Sequence, residues 1–303
     1  MKSENSQVFE ISDTPTNEEM DRIHYAVEID KRTKTHGGYY DGGVEICLVL
    51  KDSIGTVRGG VTASIVYNVM HLEVLWVDEN LRRHGYGSQL VLDAERIGLE
   101  KGCLTAQTWN FSFQGPEFYP TVGYELIGIY DGYPNGITEH DYMKRLSPNQ
   151  HKKIAFGVPY SQGFYITTDV SEEDEKILHQ GSHHHVIAHI GDGYKGVGIK
   201  LVAKDKAGEL IGGLSAWTTL QNLIFEHIWI EERFRGQDLG RKLMLEMERI
   251  ARENGCIASQ ASCFSFPALG IIEKMGYQIL GLSNGYPDPV KEYYLIKKYD
   301  GLY

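Results

Sequence analysis

The sequence predicts an α/β (α+β) protein made of two tandem copies of one unit, each a mixed, mostly antiparallel sheet flanked by helices. Three observations predict it. The chain has 303 residues, too many for one compact domain and about right for two that each bury a core. The stretch GVEICLVLKDSIGTVRGGVTA from Gly43 returns without a gap as GVGIKLVAKDKAGELIGGLSA from Gly196, 153 residues later. Within each copy two apolar runs of strand character precede a third run that leads into a helical pattern. The copies are expected to form domains over 1–148 and 149–303, joined by a linker over Ser147 to Lys153.

Each copy opens with a helix. Thr16 with Glu19, and Ser171 with Asp174, have the spacing of a reciprocal cap, in which a hydroxyl accepts from the third helical N–H and a carboxylate reaches back. The runs Val44 to Leu50 and Val57 to Val66 flank Asp52 to Gly55, which is hairpin chemistry, so they predict antiparallel strands. Leu72 to Val77 is a third strand. After it Leu90, Val91, Ala94 and Ile97 recur at helical spacing until Gly102 supplies a stop. Cys103 to Trp109 and Tyr124 to Ile129 are further strands, with a short helix from Pro116 to Val122 between them. The 153-residue register persists throughout, pairing Glu73 with Glu226, Arg82 with Arg235, Gly87 with Gly240, Phe111-Ser112-Phe113 with Phe264-Ser265-Phe266, and Gly132-Tyr133-Pro134 with Gly285-Tyr286-Pro287.

Composition narrows the function. The net charge of -11 argues against a nucleic-acid partner and favours a cationic small molecule or basic peptide. No apolar run is long enough to span a bilayer, and the start MKSENSQVFE lacks the pattern of a secretory signal. The four cysteines are too few for a disulfide scaffold, so a reducing cytoplasm is the expected home. Cys103 and Cys256, at equivalent apolar strand starts, read as core. The run Gly181-Ser182-His183-His184-His185 is expected to be a solvated turn and not a metal site, since adjacent histidines cannot all face one ion.

The chemical motif is the loop Asn80-Leu81-Arg82-Arg83-His84-Gly85-Tyr86-Gly87-Ser88. A helix start offers free N–H groups and the positive end of the dipole, and glycine lets a phosphate approach the backbone closely, so an anion is expected there, the alternative for the motif alone being a surface turn that caps a helix. Set between an apolar strand and an amphipathic helix, and followed by FYPTVGYELIG, it resembles the signature loop Arg/Gln-x-x-Gly-x-Gly/Ala of the GNAT superfamily of acyl-CoA N-acyltransferases. The resemblance covers nearly the whole chain, twice.

That resemblance implies acetyl-coenzyme A as cofactor and a primary amine as acceptor. It implies the pyrophosphate on the N–H groups of Arg82, Arg83, His84, Gly85, Tyr86, Gly87 and Ser88, the pantetheine arm along Leu75, Trp76 and Val77, and Ser112 within the same cofactor site. It makes Tyr119 the acid that protonates the departing thiolate, the alternative being an aromatic core residue beside Phe118; Pro120 stands next to it. An ammonium near pKa 10.4 cannot attack until it loses a proton. Glu73, among Leu72, Val74, Leu75 and Trp76, is the candidate base if burial desolvates it, with Glu226 its twin; the alternative is that it anchors a basic side chain.

The second copy departs from the first. Its cofactor site, if retained, comprises Ile230, Arg235, Gly236, Gln237, Asp238, Leu239 and Gly240, with Asp238 in the place of Gly85 and Ile272 in that of Tyr119. An inward carboxylate would repel phosphates. The amino-terminal copy is therefore the expected enzyme and the carboxy-terminal copy a degenerate or substrate-walling partner, the pair resembling a dimer within one chain that further self-association could extend. The Gly132-Tyr133-Pro134 segment and its echo are candidates for lining the amine pocket. The other function class open at this point is a non-catalytic acyl-CoA sensor or scaffold.

Overall fold

The computed structural model describes residues 9–35, 37, 46–147, 163–191, 196–265 and 269–299; Gly43, Val44, Phe266 and the expected linker from residue 148 to 153 lie outside them. The described residues form two seven-stranded mixed sheets. The first contains β2 (Ile46–Lys51), β3 (Val57–Val66), β4 (Val69–Val77), β5 (Thr105–Phe111), β6 (Glu125–Tyr130) and β7 (Glu139–Arg145). The second contains their counterparts β9 (Gly198–Lys204), β10 (Leu210–Thr219), β11 (Asn222–Ile230), β12 (Ala258–Phe264), β13 (Gln278–Ser283) and β14 (Glu292–Lys298). Both sheets are antiparallel except where β4 meets β5 and β11 meets β12. The helices α2 (Tyr86–Glu100) and α5 (Leu239–Glu253) follow β4 and β11, and α3 (Phe118–Thr121) and α6 (Leu269–Lys274) precede β6 and β13.

The remaining elements change places. Strand β1 (Glu10–Ser12) pairs with β9, so it joins the second sheet, and helix α1 (Asn17–Lys34) packs on β10 and β11. Reciprocally β8 (Tyr165–Thr167) pairs with β2, and helix α4 (Glu172–Ile190) lies on β2, β3 and β4 of the first sheet. The sequence copies 1–148 and 149–303 are thus not the spatial units: each sheet is completed by the opening strand and helix of the other copy.

Sequence explains the docking. Both caps form in full, Thr16 with Glu19 and Ser171 with Asp174. The cap carboxylates then reach the host sheet, Glu19 to Lys204 at 2.6 Å and Asp174 to Lys51 at 2.8 Å. Alternation puts Leu201 and Ala203 on the face that packs α5 and Val202 on the opposite face, against Met20 and Ile23 of α1. The glycine pairs in β3 and β10 create the room. A β-carbon on Gly213 would fall 2.2 Å from Ile23 Cδ1, and one on Gly60 would fall 3.0 Å from Leu178 Cδ2. Ile23 and Leu178 are both fully buried.

The units meet through equivalent surfaces. Edge strands β6 and β13 abut at the twin glycines Gly128 and Gly281, where a β-carbon on Gly281 would overlap the Ile127 carbonyl. Gly132 and Gly285 each lead a loop across the boundary; Thr105 donates to the Gly285 carbonyl at 2.8 Å and Gln260 to the Tyr133 hydroxyl at 3.0 Å. Inside each unit an ion pair ties helix to sheet, Lys144 to Glu95 and Lys297 to Glu248, both at 2.6 Å. Among the described residues no helix is long and apolar enough to cross a membrane, and no group of three or more histidines, cysteines and carboxylates could hold a metal. The run Gly181 to His185, expected as a turn, is helical: the cap at Ser171 starts a helix that nothing breaks before Gly191, and the histidines spread around it.

Candidate active site

Strand β4 pairs with β5 only over Val69 to His71, and β11 with β12 only over Asn222 to Phe225. Beyond those points the parallel strands part, leaving the edges at Leu75 to Val77 and at Ile228 to Ile230 without a paired strand on that side among the described residues. At each divergence the register slips by one residue, Thr62 facing Val74 and Ala63 facing Leu72, so that Glu73 is the extra residue of a β-bulge; Glu226 is the extra residue between Phe225 and His227. A bulge re-aims its side chain. Both glutamates are exposed, which corrects the expectation of a desolvated Glu73 among apolar neighbours. Among the described residues no basic side chain forms an ion pair with either. Instead both line one cavity.

That cavity, of about 850 Å³, lies beside the second copy's loop. Ile230, Arg235, Gly236, Asp238, Leu239 and Gly240 line it, whereas the Gln237 amide turns to the Arg233 carbonyl at 2.7 Å. The far wall belongs to the first copy: Ser64, Val66, His71 and Glu73 from its sheet, and Val27, Asp30 and Lys31 from α1. Asp30 stands 3.9 Å from the Arg235 guanidinium. The exchange of opening helices is what builds a cavity from both copies.

The two loops share one backbone. Arg82 and Arg235 each donate through Nε to the end of the preceding strand, at the Val77 carbonyl (3.1 Å) and the Ile230 carbonyl (2.9 Å). Two positions in each loop are left-handed, Arg83 and Gly85 in the first, Gly236 and Asp238 in the second. Each loop therefore has glycine at one such position and a side chain at the other. Aspartate tolerates this conformation better than most residues. The Asp238 carboxylate is half-exposed and faces Arg241 at 3.5 Å, so the charge that sequence alone sets against phosphates is offset by a guanidinium beside it on the cavity wall. The first N–H groups of α5 have no intrahelical partner and carry the positive end of its dipole, which fits a pyrophosphate.

In the first loop Arg82, Arg83, His84 and Gly85 are exposed, Gly87 and Ser88 half-buried, and Tyr86 is buried against Phe164. The His84 ring meets the Arg82 carbonyl at 2.8 Å. Leu75 and Trp76 are half-buried and Val77 is buried; α4 crosses Trp76 so closely that a β-carbon on Gly181 would strike the indole. Ser112 accepts from the Thr138 N–H at 3.2 Å. Tyr119 is buried among Phe118, Tyr124 and Tyr142, and its hydroxyl accepts from Thr108 at 3.4 Å, while Thr108 also faces the Leu72 carbonyl at 3.1 Å. Burial pushes the Tyr119 phenol above its ordinary value. Glu73 and Tyr119 are thus not brought to one cavity. Pro120 falls in the first turn of α3, where its missing N–H has no helical partner to lose. Ile272, the twin of Tyr119, is fully buried core.

Three of the cysteines are held as thiols. Burial raises the Cys103 and Cys256 thiols to about 11, and burial followed by the nearby Glu292 and Glu273 charges raises Cys263, on the cavity wall, to about 12. Of the paired Gly-Tyr-Pro loops, Tyr286 lines the cavity and Tyr133 is buried between the units. Sequence reasoning missed His71, Glu292 and the α1 residues of the cavity. The signal for His71 was a difference between copies, since its twin is Ile224.

The acetyltransferase (GNAT) family profile matches residues 8–124 and again 166–277. The chain is similar to blasticidin-S acetyltransferase of Streptomyces morookaense, with 40% identity over 93 residues that cover 30% of this chain and 68% of that protein. Among solved structures it is similar to an acetyltransferase from Bacillus cereus ATCC 14579, with 36% identity and a TM-score of 0.42 over 45% of this chain and 96% of that one. It is also similar to the PaiA N-acetyltransferase of Thermoplasma acidophilum, solved in complex with coenzyme A, with 16% identity and a TM-score of 0.30 over 43% and 81%. A duplicated loop at the start of a helix, a bulged strand diverging from its parallel neighbour, and a family profile matched once in each copy together make this chain a tandem member of the GNAT acetyltransferase family.

Proposed function

We propose that the protein transfers an acetyl group from acetyl-CoA to a primary amine of a cationic small molecule or peptide, and that donor and acceptor meet in the cavity beside Gly236 to Gly240. The observation that carries the reading is the continuity of one cavity from the free N–H groups at the start of α5 to the carboxylates of Glu73 and Glu226. Arg235 and Arg241 flank the loop and suit phosphate. The unpaired edge of β11 suits a pantetheine amide, which adds to it like a strand. Exposed carboxylates on the bulges attract an ammonium and keep it oriented while its proton is removed. This places chemistry in the carboxy-terminal copy, with the amino-terminal copy supplying the opposite wall.

A second transfer site in the amino-terminal copy is favoured by one observation, the Tyr119 hydroxyl held by Thr108 beside the parting of β4 from β5. Steady-state acetylation of a panel of amines, polyamines, aminoglycosides and peptides separates the readings. Gly236→Glu should abolish transfer, because it adds strain and a charge beside the phosphates, while Gly85→Asp should leave most of it. The reverse pattern, with loss in Tyr119→Phe, moves the chemistry to the first copy. Acetyl-CoA binding without transfer to any amine would instead support an acyl-CoA sensor or scaffold.

A further inference from the structure

We propose that His71, Tyr286 and Glu292 form a proton-accepting relay assembled from both copies, in which His71 takes the proton that the acceptor ammonium must lose. The inference rests on the reading that acetyl transfer occurs in the cavity beside Gly236 to Gly240. All three residues line that cavity, His71 from β4 of the first sheet, Glu292 from β14 of the second, and Tyr286 from the loop that crosses between them. His71 Nε2 lies 3.4 Å from the Tyr286 hydroxyl. That hydroxyl donates to Glu292 Oε2 at 3.0 Å, and the Tyr294 hydroxyl reaches the same oxygen at 3.0 Å.

In this relay the single Tyr286 proton lies toward Glu292, and the phenol oxygen accepts from the Nε2–H of His71. Nδ1 is then the basic nitrogen. Glu292, acting through Tyr286, stabilises the imidazolium once it forms. Among the described residues the other charged or titratable groups on the cavity wall are Glu73 on the same strand, Glu226 and His227 on β11, Asp30 and Lys31 on α1, Arg235, Asp238 and Arg241 at the loop, Cys263 on β12 and Lys274 on α6.

The pseudo-equivalent pair shows what the relay adds. In the first copy Tyr133 donates to Glu139 at 2.5 Å, but Ile224 takes the place of His71 and Gln260 closes over the pair. Glu139 is buried there. One Tyr–Glu pair is sealed between the units; the other meets a histidine at a cavity.

Nδ1 of His71 accepts one proton from the ammonium, and the freed nitrogen lone pair forms a bond to the thioester carbonyl carbon. The carbon–sulfur bond breaks, the sulfur leaves with its electron pair, and the surplus proton on the new amide nitrogen protonates the thiolate through solvent. The imidazolium returns its proton to water. His71 is the catalytic residue, and Tyr286 and Glu292 are positioning residues.

The test uses the full chain with acetyl-CoA and the best amine of the panel. His71→Gln keeps an N–H for Tyr286 but has no basic nitrogen, so kcat should fall about 100-fold with the acetyl-CoA KM unchanged, and the acid limb of the pH profile should disappear. Tyr286→Phe, which removes one oxygen atom, should shift that limb to lower pH. Tyr133→Phe should leave the limb in place. Circular dichroism of each variant separates loss of chemistry from loss of fold. Wild-type kcat and an unchanged acid limb in His71→Gln overturn the relay alone. Absence of transfer by the unaltered chain overturns the function reading and the relay with it.

Discussion

At the scale of single residues, the decisive contrasts are between twin positions. Asp238 in place of Gly85 reads as damage in the sequence, yet the fold gives it a left-handed backbone and turns its carboxylate to Arg241. Asp238→Gly should therefore change acetyl-CoA affinity by no more than about twofold, measured by calorimetry; a gain of tenfold or more, roughly 1.4 kcal/mol, would mean that the carboxylate does oppose the phosphates. Glu73 was legible as a candidate, but its exposure was not, because a bulge is a property of strand pairing and one strand does not announce its register. Glu73→Gln should raise the KM for a dicationic acceptor about tenfold and leave that for a monocation nearly unchanged. Equal effects on both would remove the carboxylate from acceptor recognition.

At the scale of elements, the caps, the hairpins and the strand–loop–helix unit could all be read from spacing, because each is decided by neighbours in sequence. The destination of the opening helices could not. Thr16–Glu19 and Ser171–Asp174 say where a helix begins, and nothing local says which sheet receives it. The receiving sites are the glycine pairs, whose meaning appears only once Ile23 and Leu178 are seen above them. Gly213→Ala places a methyl group within 2.2 Å of Ile23 Cδ1 and 2.6 Å of the Leu201 carbonyl, so it should destabilise the protein by about 1–3 kcal/mol in chemical denaturation. Ile23→Ala should cost about 2–5 kcal/mol by leaving a cavity. If Gly213→Ala proved less destabilising in the Ile23→Ala background than alone, the two residues would be coupled as the packing requires; strict additivity would count against that contact.

At the scale of the whole molecule, the units are joined through a polar interface that carries buried acid. Burial raises Glu139 above its ordinary value, and burial followed by repulsion from Glu139 and Glu292 raises Asp141 well above its own. A carboxyl that holds its proton in the folded chain after the unfolded chain has released it makes stability fall as pH climbs past the unfolded value near 3.8 and on through the folded one. Asp141→Asn should therefore raise the melting temperature at neutral pH and flatten its decline between acid and neutral solution. A lower melting temperature at pH 7 would show that the charge is satisfied in the native state.

The exchanged opening segments also alter how the chain is nested. All seven strands of the first sheet, with α2, α3 and α4, fall within residues 46–191, an unbroken stretch in which the strand and helix that begin a copy arrive last. The second unit is the discontinuous one, assembled from 10–34 and 196–299 around that insert. The duplication therefore behaves in space as a circularly permuted domain lodged inside its host. A polypeptide limited to residues 46–191 should fold cooperatively by itself, while one limited to 163–303 should not, since it lacks the strand and helix that finish its sheet.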